Sequence, residues 1–326
     1  MKNVLIYNSQ AVGDCILGTH TARLYKQKFP NTNIYFCTRE NLVPTTSEGE
    51  KENIDILHVL SLQEGIAGVG QIVRTINGMS VKLFGSKESV EFNEIIEQHA
   101  WFSDLGIVRS QSSTLFAQYG KDDFWNTETV FNVGSDKNLP SDHIVISTVG
   151  PLDWNRKTKN EAMRIGFLSK LKYYLEQNNI KARIALLGRD VEYGSLLDSL
   201  RKLNNSHIFI GPMGLHSHAA AGLGLDTITI PSVFPAEYDS PEHYHSGWHK
   251  TLKSAIHCGN YDCVKPKIYS EDNKYPEGPH ASMGFWPKMC DETSNGFSCV
   301  HNISPDAIME LFADWYEQKG KNLWNR

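Results

Sequence analysis

Val4-Leu5-Ile6-Tyr7-Asn8, a polar loop from Ser9 to Asp14, a stretch from Ile16 to Lys28, then Pro30-Asn31 and Ile34 to Thr38 form the opening that decides the fold. The two apolar runs read as strands. Between them, Ile16, Leu17, Ala22, Leu24 and Tyr25 recur near helical spacing, and Pro30 stops the helix. Strand, helix and strand in this order make the first unit of a doubly wound sheet, whose ligands bind at the carboxyl ends of the strands. Gln10-Ala11-Val12-Gly13-Asp14 therefore stands where a ligand is expected. Gly13 lets a backbone come close to it, and Asp14 serves either as a helix cap or as a working carboxylate.

Outward from this unit, the spacing predicts a strand over Ile54 to Leu60, a short helix over Gly70 to Ile76, a strand over Val81 to Phe84 and a helix over Val90 to Leu105. Around Ser135 to Asp142 the sequence turns polar, which reads as an interdomain linker. A second alternating series follows it, with strands at Ile144 to Ser147, Ala182 to Leu187, His207 to Ile210 and Thr227 to Ile230. Its helices run over Asn160 to Gln177, Tyr193 to Leu203 and Leu215 to Gly222, so a second parallel sheet is expected. Pro231 to Gly296 reads as loops with short helices, and Pro305 to Gln318 as a final helix with an apolar stripe of Ile308, Leu311, Phe312 and Trp315.

A chain of 326 residues exceeds what one core usually supports, so two domains are expected, with a ligand cleft between them. The expected boundaries are 1–138, 139–303 and a final helical segment, 304–326. A net charge of -5 weighs against a protein devoted to holding a phosphate backbone. The start has no signal-peptide pattern and no apolar stretch reaches the ~20 residues of a membrane span, so the expected place is the cytoplasm, with peripheral membrane contact left open. Cys258, Cys263, Cys290 and Cys299 are late and loosely spaced, which leaves buried thiols and a four-thiolate zinc or iron site both open.

Several motifs resemble glycosyltransferase family 9, the ADP-heptose:lipopolysaccharide heptosyltransferase-like enzymes. Gly13-Asp14, Leu24-Tyr25-Lys26 and Phe29-Pro30-Asn31-Thr32-Asn33-Ile34 follow the order of that family's first segment. Trp154 and Lys157 match its Trp-x-x-Lys. The stretch from Gly211 to Thr227 is similar to its donor signature, with agreement at Gly211, Pro212, His218, Ala220, Ala221, Leu223, Gly224 and Thr227. It departs at Met213, where the family has Asp, at Gly214, where it has Ser or Thr, and at Leu215, where it has Gly. Cys299 to Asp306 resembles the family's Cys-Met-x-x-Ile-x-Pro-Glu tail.

The resemblance implies an α/β protein of the GT-B type, with two Rossmann-like domains whose parallel sheets face each other across a cleft. It implies an inverting sugar transferase in which Asp14 is the general base, the first domain takes the acceptor and the second takes a nucleotide-sugar donor. The final helix would pack back on the first domain. Donor contacts would come from Gly13, Trp154, Lys157, Gly188, Gly211, Pro212, Met213, Gly214, Leu215, His216 and His218. His216 reads either as a polar substitute for the missing Asp or as a core histidine. No cofactor is required for the chemistry, since a carboxylate takes the acceptor proton as the diphosphate leaves, and burial would have to raise the pKa of Asp14 for that task. The acceptor is left open among a glycan, a lipid-linked glycan, a protein and modified DNA. Three other readings stand beside this one: a phage-type transferase acting on DNA nucleobases, a sugar-nucleotide epimerase of the same shape, and a non-catalytic binding module, suggested by the missing Asp at Met213. His243-Tyr244-His245 and Trp248 are placed in a loop near the donor, with Glu237 and Asp239 as further contacts.

Overall fold

A computed structural model describes residues 1–8, 12–39, 47–75, 78–86, 89–98, 106–120, 124, 126–158, 160–188, 195–231, 240–252 and 303–324. The chain divides into two compact units. One comprises Met1–Asp136 with Gly194–Arg201 and Ala221–Gly224, and the other Lys137–Tyr193, Lys202–Ala220 and Leu225–Arg326.

The first sheet has the order β4-β3-β2-β1-β5. Its strands are β1 (Lys2–Asn8), β2 (Thr32–Arg39), β3 (Ile66–Thr75), β4 (Gly78–Leu83) and β5 (Glu94–Gln98). All neighbours are parallel except β3 and β4. Helices α1 (Val12–Lys28), α2 (Ser47–Ser61) and α3 (Gly106–Tyr119) accompany it. Val4, Ile6, Ile34 and Phe36 are buried together with Ile16, Leu17, Ala22 and Leu24 of α1, while Leu5, Cys37 and Ile72 form a smaller cluster with Tyr7, Tyr35 and Phe92.

Three expectations in this unit are overturned. Ile54 to Leu60 lies in α2, because Ile56, Leu57, Val59 and Leu60 are buried at helical spacing. Gly70 to Ile76 was expected to be helical, yet Gly70 to Thr75 belong to β3, which pairs with β4 from Gly70 opposite Leu83 to Thr75 opposite Gly78. Within Val90 to Leu105, Glu94–Gln98 is β5, and the alternation of a buried Ile96 and Gln98 with an exposed Ile95 is that of a strand.

The second sheet, β10-β9-β8-β6-β7, is parallel throughout. Its strands are β6 (Ile144–Val149), β7 (Ala182–Leu187), β8 (Ile208–Pro212), β9 (Asp226–Ile230) and β10 (His249–Thr251), the last of which the sequence reading missed. Its helices are α4 (Pro151–Thr158), α5 (Glu161–Gln177), α6 (Leu196–Asn204), α7 (Leu215–Gly222), the short α8 (Pro241–Tyr244) and α9 (Pro305–Gln318). Asn160 caps α5 by accepting from the Met163 amide at 2.9 Å, and Ser304 caps α9 by accepting from Ala307 at 3.1 Å. The final helix, expected to return to the first domain, buries Ile308, Phe312 and Trp315 within the second unit: Phe312 meets Tyr174 of α5 edge-on, and Pro305 packs against Gly166. Trp315 and Lys319 both donate to Asp226, at 2.8 Å each.

Candidate functional site

Each sheet contains one point where the strand order reverses. In the first, β2 lies on one side of β1 and β5 on the other. In the second, β7 lies on one side of β6 and β8 on the other. The connections leaving such neighbouring strands diverge at their carboxyl ends and open a crevice there, the usual ligand position in open α/β sheets. The Gly-Asp, Trp-x-x-Lys and donor-signature motifs singled out from the sequence follow strands beside these two points.

At the first, Asp14 lies in the opening turn of α1 and is half-buried, with Gly13 beside it. A carboxylate there is favoured by the partial positive charge of the helix start. The residues around it are amides that the sequence reading did not single out. Asn8, at the end of β1, donates to the Asp14 carbonyl at 3.3 Å and to Gln98 Oε1 at 3.0 Å. Gln98, at the end of β5, donates to the Gly18 carbonyl at 3.1 Å, and Gln111 of α3 donates to the Asp14 carbonyl at 2.8 Å. Cys15 is fully buried beside Asn8, and burial, aided by the Asp14 charge and opposed by Arg39, pushes its thiol far above the ordinary range. Arg39, at the end of β2, is the cation that enters this balance.

At the second point, Val149 ends β6 and Gly150 donates to the Leu187 carbonyl at 2.7 Å. The following residues, expected as a loop, form α4. Trp154 is fully buried there and stacks on Phe167 with 6.1 Å between ring centroids. In this position the indole packs in the core of the second unit. Lys157 falls within α4, and its side chain lies outside the described residues. Gly188 follows β7 with φ 111°, a backbone region that favours glycine.

The stretch from Gly211 to His218 runs from β8 into α7. Gly211 and Pro212 are buried in the strand, and a side chain at Gly211 would come within 2.8 Å of the Phe209 ring. Met213 is 1% exposed and its amide donates to Ile230 at 2.9 Å, so the residue that replaces the family's Asp points into the core. His216 is buried and stacks on Phe209, which favours its reading as a core histidine. His218 is buried too, with Nδ1 2.7 Å from the Tyr244 hydroxyl. Gly214 and Leu215 are the part-exposed members. Gly214 has φ 145°, and its amide and carbonyl are both tied to the Ser217 hydroxyl, at 2.9 and 2.8 Å. The motif thus presents backbone at a helix start, with its side chains turned inward.

The remaining expected contacts are placed elsewhere or fall outside the described residues. Tyr244 is buried on His218, and the indole N–H of the part-exposed Trp248 donates to Gln318 of α9 at 3.2 Å. Glu237, Asp239 and the four late cysteines lie outside the described residues. His249 contacts Thr227 at 2.9 Å and His245 at 3.1 Å; burial, with the nearby His245 and Lys319 charges, pushes its pKa down to about 3. No helix among the described residues is long and apolar enough to cross a membrane.

No protein-family model matches the sequence. No curated protein is similar to it in sequence. Solved structures do match in fold. The iron-containing dodecameric glycosyltransferase TibC from enterotoxigenic Escherichia coli superposes with a TM-score of 0.59 at 12% identity, over 98% of this chain and 78% of TibC. A glycosyltransferase family 9 protein from Veillonella parvula gives 0.52 at 12% identity, covering 98% of each chain. The E. coli ADP-heptose lipopolysaccharide heptosyltransferase II gives 0.52 at 9% identity, over 98% of this chain and all of that one. The chain therefore has the two-sheet α/β fold of the family 9 heptosyltransferases, the fold that its sequence motifs imply.

Proposed function

We propose that the protein is an inverting glycosyltransferase that moves a sugar from a nucleotide-diphosphate donor to a hydroxyl acceptor. One observation carries this reading: the Gly-Asp, Trp-x-x-Lys and donor-signature motifs that resemble family 9 follow strands beside the strand-order reversal of each sheet, and the matching folds include glycosyltransferases. The first domain, 1–138, takes the acceptor, and the second, 139–303, takes the donor. Asp14 removes the acceptor proton as the hydroxyl oxygen attacks the anomeric carbon, and the bond from that carbon to the diphosphate breaks on the opposite face. Lys157 and the backbone at Gly214 and Leu215, where α7 begins, receive the diphosphate, since amides at a helix start suit an anion.

TibC has been solved in complex with ADP-D-β-D-heptose, which makes ADP-linked heptose the first donor to try. The reaction is proposed to need no metal. The late cysteines would supply a structural iron or zinc site rather than a catalytic one, which elemental analysis of the purified protein tests. The function is tested by incubating the chain with ADP-, GDP- and UDP-sugars and following the products. A transferase releases nucleoside diphosphate in step with a glycosylated acceptor, whereas a new sugar nucleotide formed from donor alone would identify an epimerase and refute the proposal.

A further inference from the structure

We infer that Gln111 is a positioning residue for Asp14, its side-chain amide fixing the first turn of α1 at the carboxyl end of the first sheet. The inference rests on the reading of Asp14 as the base. Gln111 lies 97 residues from Asp14 in sequence, yet its amide reaches the Asp14 carbonyl at 2.8 Å. The same carbonyl accepts from Asn8 at 3.3 Å. Asn8 is joined to Gln98, and Gln98 to the Gly18 carbonyl one helical turn further on, so amides from β1, β5 and α3 converge on one turn of α1.

Two further features show that this arrangement serves position more than packing. A side chain at Gly18 would come within 2.4 Å of Gln98 Oε1 and 2.7 Å of Asn8 Nδ2, so the helix leaves open the space that the amides fill. Gln111 itself is fully buried, and among the described residues its Oε1 has no hydrogen-bond partner. A buried acceptor left unsatisfied opposes folding, and an apolar side chain of the same length would avoid that. The donor end of Gln111 is then the reason for an amide at this place. Small displacements of a reacting group are punished heavily in rate, which gives the held turn its value.

Cys15, next to Asp14, is a built-in reporter of that turn, and Cys37, buried in the same unit, is its control. The full-length Gln111→Met chain and wild type are treated with iodoacetamide, and alkylation at each cysteine is read by peptide mass spectrometry. Local release of the turn should raise Cys15 labelling by roughly tenfold, through local opening alone, while Cys37 stays protected. Equal rises at Cys15 and Cys37 would mean general loosening, and an unchanged Cys15 would mean that the amide holds nothing; either overturns the inference. Gln111→Asn, whose shorter amide falls out of reach, should repeat the selective rise and covers the case in which Gln111→Met does not fold. With ADP-D-β-D-heptose as donor, Gln111→Met should lower kcat by roughly ten- to a hundredfold with little change in KM. If Asp14→Asn turns over normally, the base reading fails and takes the inference with it. If Asp14→Asn is inactive and Cys15 stays protected in both Gln111 variants, only the inference fails.

Discussion

The two strand-order reversals are built from different materials. Around Asp14 the first gathers side-chain amides, Asn8, Gln98 and Gln111, from three separate elements. The second turns its side chains inward, with Met213, His216 and His218 all buried, and presents the backbone of Gly214 and Leu215. Side chains held by a network suit a group that must stand at one point and exchange a proton. Backbone at a helix start suits a diphosphate, which needs donors and a favourable field more than any one side chain. Under the proposed function this difference is a division of labour, with proton transfer at the first reversal and anion binding at the second.

The largest effect should come from the first end. Asp14→Asn should reduce transfer by about 10²- to 10⁴-fold, the usual contribution of a positioned base, with folding intact by circular dichroism. Gly18→Ala should follow, because the added carbon meets Gln98 and Asn8; crowding a packed site of this kind typically costs about 1–3 kcal/mol, read as a lower denaturation midpoint. At the second end, Gly214→Ala would strain a backbone that side chains rarely adopt, by about 1–3 kcal/mol, and should weaken donor binding while leaving Cys15 protected. Ser217→Ala removes the hydroxyl that closes on Gly214 and should cost about 0.5–2 kcal/mol, the range of a lost helix cap.

Acid should separate the two units as well. His249 titrates in the folded chain only near about 3, well below its ordinary value of 6.5. Its contribution to stability is thus complete above pH ~6.5 and declines as pH falls towards 3, because the unfolded chain takes up the proton first. In the first unit, burial pushes the Glu94 carboxyl up, but hydrogen bonds from Lys2, Tyr119 and Tyr25 outweigh it and hold the pKa below the ordinary 4.5. That staple weakens only at lower pH. Hydrogen exchange near pH 5 should show β9 and β10 loosening before β1 and β5, and His249→Phe should flatten the difference.

Much of this was legible in the sequence, and what was not has physical reasons. Ala182 to Leu187, Leu215 to Gly222 and Pro305 to Gln318 are the observed elements to the residue, the last because it has an apolar stripe at helical spacing and a Ser-Pro start. The middle of the first unit was misread where short apolar runs fit either period, as at Ile54 to Leu60. Asn77-Gly78, a dipeptide that favours tight hairpins, stands in the sequence where β3 gives way to β4, with Gly78 as the first residue of β4, and was the available signal for that pair. Trp154 and Met213 were assigned by motif position, and the fold buries both side chains. Gln111 and Gln98 could not have been found by spacing, since they meet Asp14 and Gly18 only through the fold.

The division of labour is tested most directly by equilibrium binding of ADP-D-β-D-heptose to the wild-type, Asp14→Asn and Gly214→Val chains, measured by calorimetry. The account predicts that wild type and Asp14→Asn bind alike while Gly214→Val, folded, binds far more weakly. Loss of binding in Asp14→Asn with full retention in Gly214→Val would exchange the roles of the two ends and contradict it.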